Sequence, residues 1–224
     1  DCVPMLISTR DHGKMYSIYP FADQFNTVVA FLYEGEGGHT IDATNPMRPL
    51  GQLRGECYNG EGWLVDEKHP NWVDIDAPEY SETWLGNAKI DESGEMSGHF
   101  TLVRTGSAAT GWRSDLEGEK EPDFVKEHFA TEYAERSLDS VVFHDRKALD
   151  KPIKVDFHCA IPNAASPVND FLYVRPVLDF FVTENPLKSI QRSFPVNFTY
   201  PMKAQYVLNL DIPKGYAIED LPQP

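Results

Sequence analysis

The chain has 224 residues and carries 20 Lys and Arg against 35 Asp and Glu, which gives a formal net charge of −15. A surface this acidic repels phosphate groups, so the composition excludes nucleic acid as an expected partner. Hydrophobic residues make up 41% of the chain, which excludes a disordered acidic tail. The 17 prolines and 15 glycines punctuate short strands better than long helices, so we expect a mainly β protein.

The first third of the chain predicts an antiparallel hairpin. The apolar run over residues 3–8 and the segment 25–33 predict two strands, and the near-continuous apolar content of the second suggests burial on both faces. After a Gly-rich loop, residues 39–44 predict the returning strand. From residue 53 to 83, Gly, Pro and Trp are frequent, and we assign this stretch to a loop-rich connector that contains short strands.

The rest of the chain predicts a second β unit with one helix near residues 122–137. Pro122 suits a first helical position, and Val125, Phe129 and Tyr133 repeat at helical spacing. Residues 108–115 are compatible with either a strand or a helix start. Strands are predicted at the following segments: 84–90, 96–105, 141–144, 153–161, 171–174, 177–182, 196–200 and 205–212.

The two ends of the chain predict a fragment of a larger protein. The chain begins Asp1-Cys2-Val3-Pro4 without a methionine and enters a strand-like run at once, and no signal-peptide pattern opens it. No run of about 18 apolar residues is present, so we expect no membrane insertion.

Metal and cofactor sites are not predicted. Cys2, Cys57 and Cys159 lack CxxC spacing, which argues against a zinc site and leaves one disulfide open. The acidic segments 74–76 and 91–95 could offer carboxylates to calcium, but neither has a full EF-hand pattern. The second segment is better explained as a hairpin turn.

The middle third of the chain contains all four tryptophans: Trp63, Trp72, Trp84 and Trp112. Such rings could form a stacking platform for a sugar, although packing in a core or between domains is the commoner use. Both interpretations stay open, and a protein or a glycan is the partner that we expect.

Asp42 is the first candidate for a role in catalysis. It lies in the predicted returning strand, where a carboxylate can orient a catalytic histidine on the neighbouring strand. The competing interpretation is an Asx turn before Asn45-Pro46. His39 is three residues away and should face the other side of the strand, and the adjacent His158 and Cys159 should likewise face opposite sides.

Motifs in a fixed order along the chain carry a family resemblance. The early motifs are Pro4-Met5-Leu6-Ile7-Ser8-Thr9-Arg10-Asp11-His12-Gly13, Asp23-Gln24-Phe25-Asn26, Ile41-Asp42-Ala43-Thr44-Asn45-Pro46, Leu50-Gly51-Gln52-Leu53 and Cys57-Tyr58-Asn59-Gly60. They resemble the C-terminal part of a transglutaminase-like domain, as found in large secreted or periplasmic proteins of Gram-negative bacteria. The resemblance implies that residues 1–52 form the last strands of such a core and that the parent protein is periplasmic or extracellular.

The later motifs resemble the β-sandwich domain of unknown function that follows this core in the same proteins. These motifs are Asn185-Pro186-Leu187, Arg192-Ser193-Phe194-Pro195-Val196-Asn197-Phe198, Tyr200-Pro201, Ile212-Pro213-Lys214-Gly215-Tyr216 and Leu221-Pro222. The resemblance therefore implies a mainly β fold in which residues 84–224 form an antiparallel β-sandwich with one helix.

Enzymes of the transglutaminase-like family use a Cys-His-Asp triad, which the resemblance carries over only in part. Asp42 matches the triad Asp, but Thr27 occupies the position of the His and has no titratable base. The Cys should lie well upstream of Ser8, and Cys2 is too close to match it. We therefore predict a non-catalytic structural or interaction module. The alternatives are part of an active cysteine protease or transglutaminase with its nucleophile upstream of residue 1, and a carbohydrate-binding module.

Overall fold

The computed structural model describes residues 1–19, 21–35, 37–130, 137–176, 187–189, 191–193 and 196–221. Within these residues the chain is mainly β, as predicted, and has two five-stranded sheets, a separate two-stranded hairpin and two short helices. The predicted strand at 177–182, the turn at Asn185-Pro186, and Tyr133 lie outside the described residues.

The first sheet is wholly antiparallel, with strand order β3-β2-β1-β4-β5. Its strands are β1 (Cys2–Ile7), β2 (Thr27–Glu34), β3 (Gly37–Ile41), β4 (Gly60–Leu64) and β5 (Asn71–Ile75). Alternate residues of β1 and β2, such as Met5 and Val29, are buried on one face. The prediction that β2 is buried on both faces is wrong, because Val28 is 62% exposed on the other face.

Two strands of the first sheet come from the stretch that the sequence assigns to a connector. β4 pairs with β1, and β5 pairs with β4, so the sheet continues to Ile75. Gly62 fits the close packing there, because a Cβ atom at this position would overlap the side chain of Met5. The stretch 53–83 is therefore mostly part of the first unit, since its short strands bury apolar residues against β1.

The second sheet has strand order β12-β6-β7-β9-β8. Its strands are β6 (Tyr80–Ile90), β7 (Met96–Arg104), β8 (Ser137–His144), β9 (Ile153–Ile161) and β12 (Met202–Asp211). The expectation of an all-antiparallel sheet is corrected at β12, which runs parallel to β6. The predicted strand at 196–200 is irregular, and β12 begins only at Met202. The remaining hairpin consists of β10 (Ala165–Val168) and β11 (Phe171–Val174).

The helices differ from the single helix predicted near 122–137. Helix α1 covers Gly106–Gly118, and α2 covers Glu121–Val125 and continues as a π-helical turn over Lys126–Ala130. At the far end, β8 has already begun at residue 137. The sequence leaves residues 108–115 open between a strand and a helix start, and the structure has a helix there. The sequence does not decide because Gly111 weakens the helical pattern, and burial of Trp112 against the next helix supplies the missing stability.

The two sheets enclose separate hydrophobic cores, and polar contacts join them. Asn45 donates a hydrogen bond from Nδ2 to Ser114 Oγ at 2.8 Å, and Thr110 Oγ1 donates to Gln52 Oε1 at 2.5 Å. Both contacts link a loop of the first unit to α1. This junction borders the region where the predicted site residues lie.

Candidate functional site

A cleft of about 1050 Å³ opens at the junction of the two units. One wall comes from the end of β1, the start of β2 and the short turn before β4, and the other from β6, β7 and α1. The cleft is lined mainly by polar side chains, which include Arg10, Asp11, Thr27, Glu56, Tyr80, Glu82, Arg104, Ser107 and Tyr200.

Thr27 lies in this cleft at the first position of β2, where it pairs with Ile7 of β1. Asn26 fixes the start of the strand, because its Nδ2 donates to Thr9 Oγ1 at 2.7 Å and its Oδ1 accepts from Thr9 N at 2.9 Å. Thr27 is thus a half-buried hydroxyl on the cleft wall. A threonine there supplies no imidazole to move a proton.

Asp42 is buried directly after the end of β3, rather than within the strand as predicted. Its Oδ1 accepts hydrogen bonds from Thr44 N at 3.1 Å and Thr44 Oγ1 at 2.6 Å, which is the geometry of an Asx turn. Its Oδ2 lies 2.7 Å from Arg48 Nη1 and 3.3 Å from Arg54 Nε, and also accepts from Arg54 N at 3.2 Å. Among the described residues, its polar partners are these three, and no imidazole is one of them.

We call Asp42 together with Thr44, Arg48 and Arg54 the Asp42 clamp. Its electrostatics favour the charged form of the Asp42 carboxylate. Burial by itself would raise the pKa of Asp42, but the Thr44 hydrogen bonds and the two guanidinium charges outweigh it and lower the pKa below its ordinary value. The Asp42 side chain is 2% exposed, against 12% for Arg48 and 30% for Arg54. The carboxylate therefore acts as a buried anchor for the loop that follows β3.

Cys57 is the thiol closest to the Asp42 clamp. It is fully buried on a short helical turn, and Arg54 Nη2 lies 3.8 Å from its sulfur. Burial raises the pKa of the Cys57 thiol despite the nearby guanidinium. Reactive cysteines have lowered pKa values and are partly exposed, so Cys57 is built as a core residue.

The sequence prediction missed Arg48 and Arg54, which hold Asp42 in place. A signal was present, because two arginines follow Asp42 in a loop with prolines at positions 46 and 49. Such a loop has fixed backbone angles at its prolines and can return basic side chains to a buried acid.

The other histidines weighed from the sequence lie away from Asp42. His39 Nε2 lies 2.7 Å from Glu34 Oε2 on the surface. His158 is half-exposed while its neighbour Cys159 is fully buried, so the two face opposite sides of β9, as predicted. Neither pair has the geometry of a nucleophile and its base.

The two acidic segments weighed as calcium sites do not form a cluster. Asp91 Oδ1 accepts from Ser93 N, Ser93 Oγ and Glu95 N at 2.9, 2.6 and 3.1 Å, which is the predicted hairpin turn. Throughout the described ranges, no group of three or more His, Cys, Asp and Glu side chains is arranged to hold a metal ion.

The four tryptophans do not assemble into one platform. Trp84 and Trp112 are 5% and 4% exposed and belong to the second core. Trp63 and Trp72 are cross-strand partners on the first sheet, and their rings meet edge to face with centroids 5.3 Å apart. Packing in the second core therefore accounts for Trp84 and Trp112, and Trp63 and Trp72 pack edge to face on each other.

Comparison with known protein families gives a match over about a quarter of the chain. Residues 170–224 match a family described as a domain of unknown function with solved-structure structure (DUF3858). The matched segment contains β11 and β12. No curated protein and no solved structure matches the chain. Within the described residues, no helix combines the length and apolar character needed to cross a membrane.

Proposed function

We propose that this chain is a non-catalytic structural or interaction module of a bacterial, extracytoplasmic transglutaminase-like protein. The order of the early motifs supports the transglutaminase-like half of the proposal, and the DUF3858 match supports a separate domain of unknown function in the second half. The antiparallel arrangement of β1, β2 and β3 is compatible with the last strands of such a core.

The Asp42 clamp is the observation that carries the proposal. In a triad, the Asp carboxylate accepts a hydrogen bond from the catalytic histidine and orients it. Here both carboxylate oxygens are engaged by Thr44 and the two arginines, and Thr27 stands where the histidine is expected. A carboxylate held this way stabilises a loop and has no oxygen left to direct a base.

The cleft supports a structural role as well, because two of its charged groups, Glu82 and Arg104, pair with each other. Glu82 Oε2 lies 2.7 Å from Arg104 Nη2, and Glu82 Oε1 accepts from Trp84 Nε1 at 2.6 Å. The Arg104 guanidinium also lies 4.1 Å from the centroid of the Trp112 ring. These contacts connect the cleft wall to the second core, to which Trp84 and Trp112 belong, as expected of a structural junction between the two units.

The proposal is tested by assaying the purified chain for hydrolysis of a glutamine-containing peptide and for transfer of a fluorescent primary amine. We expect no product above the buffer level in either assay, with and without a thiol reductant. A commercial transglutaminase in the same buffer serves as the positive control. Product formation that iodoacetamide abolishes would refute the proposal and favour the cysteine protease or transglutaminase alternative.

A further inference from the structure

A row of polar side chains crosses the exposed face of the second sheet at one level. Strand pairing places Asn87 opposite His99, His99 opposite His158, and His158 opposite Asp139. The imidazoles of His99 and His158 are thus direct cross-strand neighbours, and their ring centroids lie 5.1 Å apart. None of these residues belongs to the cleft or to the Asp42 clamp.

We propose that His99 and His158 form a binding site for one divalent late transition-metal ion, such as Ni²⁺, Cu²⁺ or Zn²⁺, on this face. The imidazole pair supplies two protein ligands, and water completes the coordination shell. Imidazole nitrogens suit these metals, whereas Ca²⁺ and Mg²⁺ require oxygen ligands. The site therefore selects nitrogen-seeking ions.

The spacing of the two rings fits a shared metal ion. With metal–nitrogen distances of about 2.1 Å and ring centroids about 1.1 Å behind the nitrogens, ligand angles of about 90° to 110° place the centroids about 4.5 to 5.2 Å apart. The observed 5.1 Å lies inside this range. Because β7 and β9 are paired along their whole lengths, the two imidazoles are held at this spacing by the sheet itself.

Asp139 supplies the support that a metal-binding histidine usually has. Its Oδ2 lies 3.3 Å from His158 Nδ1, and it comes from β8, on the side of β9 opposite to β7. Metal-bound histidines commonly donate their second ring N–H to a carboxylate, which fixes the tautomer. Asp139 therefore engages Nδ1 and leaves Nε2 of His158 for the metal ion.

The same sheet contains a matched control. His144 Nε2 lies 2.8 Å from Asp156 Oδ2, so it has a similar imidazole–carboxylate contact and a similar exposure. Strand pairing places Lys154 opposite His144, so a cation rather than a second imidazole is the cross-strand neighbour. Loss of His144 removes an exposed histidine from the surface without touching the proposed pair.

Isothermal titration with NiCl₂ tests the site, in a Cys2→Ser background because the exposed Cys2 thiol is itself a metal ligand. We expect one equivalent of Ni²⁺ to bind, and His99→Ala or His158→Ala to weaken that binding at least about tenfold through loss of a ligand. Asp139→Asn should weaken it about tenfold, because the carboxylate that orients the His158 imidazole is lost. His144→Ala should bind as the parent does.

A second measurement needs no substitution at the site. Paramagnetic Ni²⁺ should broaden the imidazole proton signals of His99 and His158 before those of the other histidines. The proposal is overturned if the parent binds no Ni²⁺ in the millimolar range, if the two alanine variants retain parental affinity, or if His144 signals broaden first.

Discussion

Replacing Asp42 with Asn should destabilise the chain strongly, because the two arginines of the clamp lose their counter-charge. The substitution keeps the shape of the side chain and one oxygen acceptor. It removes the negative charge that Arg48 Nη1 and Arg54 Nε approach at 2.7 and 3.3 Å. Removal of one partner of a buried ion pair costs about 3 to 5 kcal/mol.

The structure places the expected cost near the lower end of that range. Asp42 is 2% exposed, but Arg54 is 30% exposed and can recover part of its hydration. We therefore expect a loss of about 3 kcal/mol in the free energy of unfolding. For a chain of this size that corresponds to a decrease in melting temperature of about 6 to 12 °C.

Urea unfolding followed by circular dichroism measures this loss, and its pH dependence gives a second check. Because the pKa of Asp42 is lowered in the folded chain, its contribution is fully present above the ordinary value of about 3.9 and disappears as the pH falls through the folded value. The difference between wild type and Asp42→Asn should therefore be constant near neutral pH and shrink below about pH 4.

A surface ion pair on the same sheet provides the control. Glu34→Gln removes the partner of His39, where the two side chains are 73% and 45% exposed, so we expect a change below about 0.5 kcal/mol. A loss below about 1 kcal/mol for Asp42→Asn would refute the assignment of Asp42 as a buried anchor.

Four further substitutions test other parts of the structure. Gly98→Ala places a Cβ atom against the backbone of β6 and should lower the free energy of unfolding by about 2 to 3 kcal/mol. Gly111 is open to solvent in α1, so Gly111→Ala should raise the free energy of unfolding by about 0.5 to 1 kcal/mol. Urea unfolding midpoints compare the two variants. Arg113→Met removes a buried guanidinium that donates to three carbonyls of the loop 145–151 and should cost about 2 to 3 kcal/mol, with faster amide exchange confined to that loop. Burial raises the pKa of Tyr58 to about 12, so the free energy of unfolding should fall as the pH rises from about 10 to 12, where Tyr58 ionises in the unfolded chain first. Tyr58→Phe should reduce this fall. An unchanged dependence of stability on pH in this variant would contradict the prediction.

The elements that local sequence patterns determine were predicted well. The hairpin of β6 and β7 combines alternating side chains with an Asx turn at Asp91, and both signals lie within about 25 residues. The sequence leaves α1 open between a strand and a helix, because Gly111 interrupts the helical pattern and the stability of α1 comes from Trp112 packing on residues that follow it in the chain. The parallel pairing of β12 with β6 joins residues about 120 positions apart, and no local pattern encodes such a register.

The candidate site likewise has a part that the sequence predicts and a part that only the fold determines. The sequence identified Asp42 and Thr27 through their motif context. The structure places Thr27 on the cleft wall and Asp42 directly after the end of β3. The partners of Asp42 could not be assigned from spacing, because Arg48 and Arg54 reach it only through the fold of a proline-containing loop. Whether Asp42 orients a base or anchors a loop depends on those partners.

The state of the Cys57 thiol is the most direct test of the claim that this chain has no activated nucleophile beside Asp42. Iodoacetamide labelling of the native chain, resolved by peptide mass spectrometry across a pH series, measures it. We predict that Cys57 reacts far more slowly than Cys2, and that its rate rises with pH without a plateau, because burial protects the thiol and raises its pKa. A rapid Cys57 reaction that levels off below about pH 7 and is lost in Asp42→Asn would contradict the account, since activated catalytic thiols behave in that way.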